Sequence, residues 1–261
     1  MPLSSLVNTC EPDKFSYTVF IGYDVGDAFF DNQKTLTALE QWTAKNIPFA
    51  TLKTKAFVNE LRKPGPMMNF LSREAYDDKC DFMYRINDDT ELLTPWTSAF
   101  VNALQAFTPP LQGVVGPTCH EGNSAILTHD FVHRSHLDIF QTHYPPELTD
   151  WWLDDWITFI YGESNTKKLS EVVVRHHVLV TRYEVKWESE KILKTLLEQG
   201  RLKLSRSSNL KIIAYSLYGD NPRYMDGAMA NAKLISEFFP GWTMRVYHDQ
   251  SVPEAVLKYL R

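Results

Sequence analysis

Runs of β-branched and aromatic residues alternate with longer stretches of helical spacing over the first 120 residues. Residues 17–24, YTVFIGYD, read as a buried strand that ends at Gly22 and Asp24 and opens into the loop VGDAFFDN. In QKTLTALEQWTAKN (33–46), Leu36, Leu39 and Trp42 keep to one helical face, and FATLKTKAF (49–57) returns to strand character. Pro64 and Pro66 start a further helix, where a missing N–H costs little, and CDFMYRI (80–86) follows as a strand. Residues 94–107, TPWTSAFVNALQAF, then predict a helix with Thr94 as N-cap and Pro95 at N1, and GVVGP (113–117) a short strand. Such alternation predicts an α/β fold with a mostly parallel sheet flanked by helices, whose ligands bind beyond the carboxyl ends of the strands.

Downstream, residues 190–209 read as a helix that stops at Gly200 and runs into a basic, Ser-rich linker over 201–209. A strand (LKIIAYSLYG), a helix (MDGAMANAKLISEFFP) and a second strand (WTMRVYHD) come next, an incomplete β-α-β unit over 210–261. The expected division is a main domain over 1–190, a helix and linker over 191–209, and this second unit. The two parts echo each other weakly: FSYTVFIGYD and GWTMRVYHD are both strands with an aromatic residue near a terminal Asp, each following a helix and a Pro. In the second part that helix is itself preceded by a strand. In the first part, the helix-like PLSSLVNT stands at residues 2–9, so a first strand is expected to be missing and the chain is expected to be a fragment.

Composition changes this picture little. At 44% hydrophobic and 23% charged residues, the 261-residue chain is ordinary for a globular protein with a sizeable core. A formal net charge of −5 gives no electrostatic reason to bind phosphate backbones or anionic membranes, so nucleic acid is not an expected partner. No stretch approaches the roughly 20 apolar residues of a membrane span, and no basic leader is present, so the chain as written reads as cytoplasmic; an endomembrane lumen such as the Golgi is the alternative if an upstream anchor exists. Cys10, Cys80 and Cys119 are odd in number and widely spaced, which suits reduced cysteines.

Candidate chemistry gathers in three segments. In YRINDDTELLTPW (84–96), Asn87, Asp88 and Asp89 close a β-prone run; they read either as a turn whose side chains bond nearby backbone N–H groups or as oxygen ligands for Mg²⁺ or Mn²⁺. WWLDDWI (151–157) is either an amphipathic helix with core tryptophans and solvated acids, or a site in which Trp151, Trp152 and Trp156 desolvate Asp155 and strengthen it as a base. VVVRHHVLVTRYE (172–184) is strand-like, so only one of His176 and His177 can face a given side. The stretch ILTHDFVHRSHLDIF spaces His129, His133 and His136 along one helical face, but without the Glu or Cys pair of a zinc site; a helix lining the acceptor side is expected there, with Arg134 a phosphate contact or a surface ion pair.

These segments, in this order, resemble the GT-A fold nucleotide-sugar glycosyltransferases, nearest to the N-acetylglucosaminyltransferase I type. There a Glu-Asp-Asp-Leu-Glu triplet region ends a strand ahead of a Pro-aromatic pair, and a Trp-Asp-Asp-Trp segment follows. The resemblance implies transfer of a sugar from a nucleoside-diphosphate donor to an acceptor hydroxyl, assisted by Mn²⁺ or Mg²⁺ and inverting. It implies Asp89 as metal ligand with a late His, His177 in preference to His176. Asp88 and Asn87 would face the donor, Asp155 would act as catalytic base, and Asp154 would lie beside the substrate. Asn69 and Asp24 stand where the fold contacts the nucleotide, although a polar helix face and a turn Asp before Gly26 account for them equally. Asn87 replaces an acid of the motif, so one charge is absent. A non-catalytic module that binds nucleotide sugars or carbohydrate is the rival reading. A metal-dependent phosphohydrolase is the third, although it would want more carboxylates for a second metal.

Overall fold

The computed structural model describes residues 2–121, 123–177, 189–208, 211–239 and 242–260. They form two compact units, Met1–Leu204 and Ser205–Arg261.

The first unit opens with helix α1 (Pro2–Thr9), strand β1 (Tyr17–Asp24), helix α2 (Gln33–Asn46) and strand β2 (Ala50–Phe57). Asn32 caps α2 by accepting from the Lys34 N–H at 3.0 Å, and β1 and β2 pair in parallel from Tyr17↔Ala50 to Asp24↔Phe57, the crossover geometry that the pattern predicts. Helix α3 (Pro64–Asp77) starts on Pro64 as expected and leads into strand β3 (Phe82–Arg85).

A mixed sheet follows. It comprises β3, β4 (Thr90–Leu92), β5 (Val114–Cys119), β6 (Asp130–His133) and β7 (Thr166–His176) in the order β3-β6-β5-β7-β4. Only β5 and β7 are parallel; β3-β6, β5-β6 and β4-β7 are antiparallel, so the mostly parallel sheet expected from the sequence holds for β1-β2 but not here. The reason lies in the connections: a parallel neighbour needs a crossover, usually helical, of a dozen or more residues, whereas a loop without a helix joins β5 to β6 and turns the chain back antiparallel. Strand β4 comes directly after the acidic triplet, and this delays the next helix, α4 (Thr97–Gln105). Thr94 is therefore not its cap; its Oγ1 accepts from the Val173 N–H at 2.9 Å. The N-terminus of α4 is met instead by Glu11, whose carboxylate accepts from the N–H of Ser98 at 2.8 Å and its hydroxyl at 2.7 Å.

Alternation along these strands feeds two cores. Met83, Val114 and Val132 join a cluster with Trp156, Ile157, Ile160 and Leu196, on the side of helices α5 (Ser135–Phe140), α6 (Leu153–Ile160) and α7 (Ser189–Ser208). Val115 and Phe131 join Leu6, Trp96, Phe100 and Leu104, on the side of α1 and α4. Each large apolar side chain buried this way contributes about 1.5–3 kcal/mol. The three cysteines are free.

Helix α7 runs through Gly200 to Ser208, so residues 201–208 are helical and not a linker. Gly200 serves packing instead of termination: a Cβ there would collide with Cδ1 of Ile160. The histidine-rich segment also differs from expectation, because Asp130–His133 pairs with both β3 and β5 as strand β6 before α5 begins; His129, His133 and His136 share no helix face.

The second unit contains strand β8 (Lys211–Leu217), helix α8 (Pro222–Phe238), strand β9 (Trp242–His248) and helix α9 (Glu254–Leu260). β8 and β9 pair in parallel over their whole length, around a small core of Leu217, Met225, Ala228, Val252 and Leu257. The β-α-β order is that read from the sequence.

Candidate functional site

Strand β3 delivers the triplet Asn87-Asp88-Asp89 to the carboxyl end of the sheet, and the β4-β7 ladder then fixes what it meets. Thr90 lies opposite His176, and the N–H of His177 donates to the carbonyl of Asp89 at 2.9 Å. Side chains alternate across this edge. His176 turns to the triplet: its Nε2 lies 2.9 Å from Oδ1 of Asp89 and 3.4 Å from Nδ2 of Asn87. His177 turns the other way and pairs with Glu91 at 3.0 Å; the hydrogen bond from His177 is the main cause of the lowered Glu91 pKa. The structure thus sets His176 against Asp89 and His177 away from it. Oδ1 of Asp89 is buried and receives no aligned hydrogen bond among the described residues, and Asp88 is exposed. Behind the pair, His129 stacks edge-on to His176 with centroids 5.4 Å apart and approaches Thr90 Oγ1 at 2.7 Å. Burial, with Arg85 and His176 adding to it, lowers the His129 pKa to about 3, so this imidazole is neutral.

Arg85 connects the triplet to the second acidic motif. Buried in β3, it donates from Nε to Asp130 Oδ2 at 2.9 Å and Tyr144 Oη at 2.8 Å, and from Nη1 to the Thr128 carbonyl at 2.6 Å and to Asn87 Oδ1 at 3.4 Å. Its Nη2 holds Oδ1 of Asp154. Asp130, fully buried, also accepts from Tyr144 Oη at 2.6 Å and lies 2.6 Å from Nε2 of His143, whose Nδ1 is 3.0 Å from Ser72 Oγ. Burial works against the Asp130 carboxylate, but Arg85 and His143 outweigh it and hold its pKa well below the usual range. Burial likewise works against the Arg85 charge, and Tyr144, Asp154 and Asp130 more than restore it. Such a charge cluster is tolerable inside a protein only because every member is paired.

Asp154 and Asp155 occupy the first turn of α6, entered through Trp152 in a left-handed conformation (φ 71°). Leu153, Trp156 and Ile157 anchor that turn in the core. Asp154 leans on Arg85. Asp155 is half-buried, and desolvation raises its pKa, the direction expected of a carboxylate among tryptophans.

Three other sequence candidates are engaged elsewhere. Asn69 straps the buried Tyr144, donating to its carbonyl at 3.0 Å and accepting from its N–H at 2.8 Å, so its amide supports the scaffold. Asp24, at the end of β1, accepts from Asn59 Nδ2 at 3.0 Å. Arg134 lies over the Tyr76 ring at 4.5 Å and donates to the Tyr76 carbonyl, in place of the phosphate contact considered for it. Sequence reasoning missed Arg85, Asp130, His143 and Tyr144; the one available signal was a lone Arg inside the apolar strand FMYRI.

Among the described residues, no group of three or more His, Cys, Asp and Glu side chains stands close enough to hold a metal ion alone. The Asp89-His176 pair is nonetheless compatible with one. Adjacent ligands of an octahedral cation at about 2.1 Å are themselves about 3 Å apart, close to the separation seen, and such ions take their remaining ligands from water and phosphate. No protein-family model, no curated protein and no solved structure matches the chain.

Proposed function

We propose that the first unit is a GT-A-like, metal-assisted glycosyltransferase that moves a sugar from a nucleoside-diphosphate donor to an acceptor hydroxyl with inversion. One observation carries the reading: Arg85 joins the triplet at residues 87–89 to the Asp154-Asp155 pair, so that two acidic motifs about 65 residues apart share one network. Neither motif alone departs from a polar turn or a solvated helix end. Joined, they offer a ligand pair for a cation and, next in sequence to the carboxylate that Arg85 holds, a second carboxylate with a raised pKa.

In this reading Asp89 and His176 hold Mn²⁺ or Mg²⁺, which when bound supplies positive charge to the departing diphosphate. Asn87 and Asp88 border the donor. The acceptor oxygen attacks the anomeric carbon as its bond to the diphosphate oxygen breaks, and Asp155 takes the hydroxyl proton. Asp154, fixed by Arg85, holds the first turn of α6 so that Asp155 keeps its place.

A thermal-shift screen of nucleotide sugars with and without Mn²⁺, repeated on Asp89→Ala, tests the assignment. Stabilisation that needs both the metal and Asp89 is expected, and its absence for every donor would sink the reading. Donor binding with neither transfer nor hydrolysis would instead support the binding module. Release of inorganic phosphate would support a phosphohydrolase.

A further inference from the structure

Among the described residues β1 and β3 are terminal strands, β1 bonded to β2 and β3 to β6, and between them lies a cavity of about 560 Å³. Residues 17–20 of β1 and 82–85 of β3 both line it, each presenting an edge with no ladder partner among the described residues. Met68, Leu71 and Ala75 of α3 cover one face, and Leu6 and Trp96 cover the other. Tyr84 Oη and Trp96 Nε1, two polar groups of lining residues, are buried with no hydrogen-bond partner among the described residues. Open edges on both sides and apolar side chains above and below are the surroundings of a missing central strand.

We propose that this cavity is a slot for one β-strand, supplied by polypeptide outside the 261 residues, which joins the two-stranded and five-stranded sheets into one. The ligand is an extended segment of roughly four to six residues, apolar on both faces because helices cover both. An aliphatic ligand fits less well, since it would leave two rows of backbone donors and acceptors unpaired. The second unit indicates both the composition and the direction of the strand. There β9, the counterpart of β1 in the sequence echo, pairs in parallel with β8, whose sequence is KIIAYSL. β8 of this chain is itself bonded to β9 along residues 211–217, so among the described residues the segment with this pattern is already paired, and the incoming strand is expected to run parallel to β1.

The test uses the whole chain and a synthetic peptide of sequence KIIAYSL, followed by amide hydrogen exchange. The peptide is expected to slow exchange at residues 17–20 and 82–85 by about tenfold or more, and a control peptide with Ser at both Ile positions to leave it unchanged. Leu71→Glu, at a half-buried position, places a carboxylate in the slot and should abolish the protection while the rest of the exchange pattern persists. Three results with the peptides would overturn the proposal: no protection at either edge, equal protection by the control peptide, or protection unaffected by Leu71→Glu. Protection of both edges that grows with protein concentration in the absence of peptide would overturn it in favour of strand exchange between copies of this chain. None of these readouts depends on glycosyl transfer, so the slot and the transferase reading can fail separately.

Discussion

The guanidinium of Arg85 holds the carboxylate of Asp154, and through that one pair the strand leading to Asn87 is locked to the first turn of α6. Arg85 can do this from a buried position because Asp130, itself fully enclosed, balances its charge through Nε. The planar fork of arginine matters here: separate nitrogens serve Asp130 and Tyr144, the Thr128 carbonyl, and Asp154.

Replacing Arg85 should therefore destabilise the first unit strongly. Arg85→Met leaves Asp130 buried among groups chosen for its charge, with an expected loss of about 3–5 kcal/mol in urea unfolding. Arg85→Lys keeps the charge but not the fork and should fall between the variant and the parent. If Arg85→Met unfolded at the parent's midpoint, Arg85 would not be the hub that its contacts describe.

Asn69 separates a scaffold role from a ligand role. Asn69→Ala strips the partners from the N–H and carbonyl of Tyr144, a fully buried residue, and should cost about 1–3 kcal/mol in stability. Any nucleotide-sugar affinity, measured by calorimetry below the melting transition, should stay unchanged. A selective loss of affinity with normal stability would return Asn69 to the donor site.

Acid sensitivity follows from the buried histidines. Burial lowers His129 and His136 from the ordinary value of 6.5 to about 3, so below pH 6.5 the unfolded chain takes up protons that the folded chain refuses until about pH 3. Stability from each is full above pH 6.5 and falls by about 1.4 kcal/mol per pH unit below it. His129→Gln removes one of the two. Between pH 7 and pH 5 the variant should lose about 2 kcal/mol less than the parent in paired urea titrations, and equal losses would contradict a neutral His129.

The sequence makes the outer frame legible and leaves its interior hidden, for reasons that particular residues show. Strand β1 and helix α2 fall on their expected residues because period and capping are local properties. Strand β4 was not visible: three residues, Thr90–Leu92, carry no period, and only the ladder to Arg175 and His176 makes them a strand. Helical spacing of His129, His133 and His136 misled for a related reason, since β3 and β5 claim Asp130–His133 from outside the segment. At the site, adjacency placed Asp154 beside Asp155, but nothing local tied either to Arg85 or chose His176 over His177; that choice rests on which strand face meets Asp89. Residues 178–184, for which the sequence also predicts strand character, lie outside the described residues.

Asp155 offers the sharpest test of the chemistry. Its side chain makes no ion pair with Arg85, its pKa is raised by burial, and its neighbour Asp154 carries the structural contact, so Asp155→Asn should fold normally. If Asp155 accepts the proton of the acceptor, the variant should bind metal and donor with near-parental affinity yet lose about 10²–10⁴-fold in turnover, the range spanned by a positioned general base. Asp154→Asn should behave differently: weakening the Arg85 contact is expected to lower the melting temperature together with turnover. The parent's rate should also rise with pH through the Asp155 pKa and level off, and that ascending limb should be missing from whatever turnover Asp155→Asn retains. Parental turnover in Asp155→Asn, with the metal and Asp89 still required, would move the base to another group and leave the cation site standing.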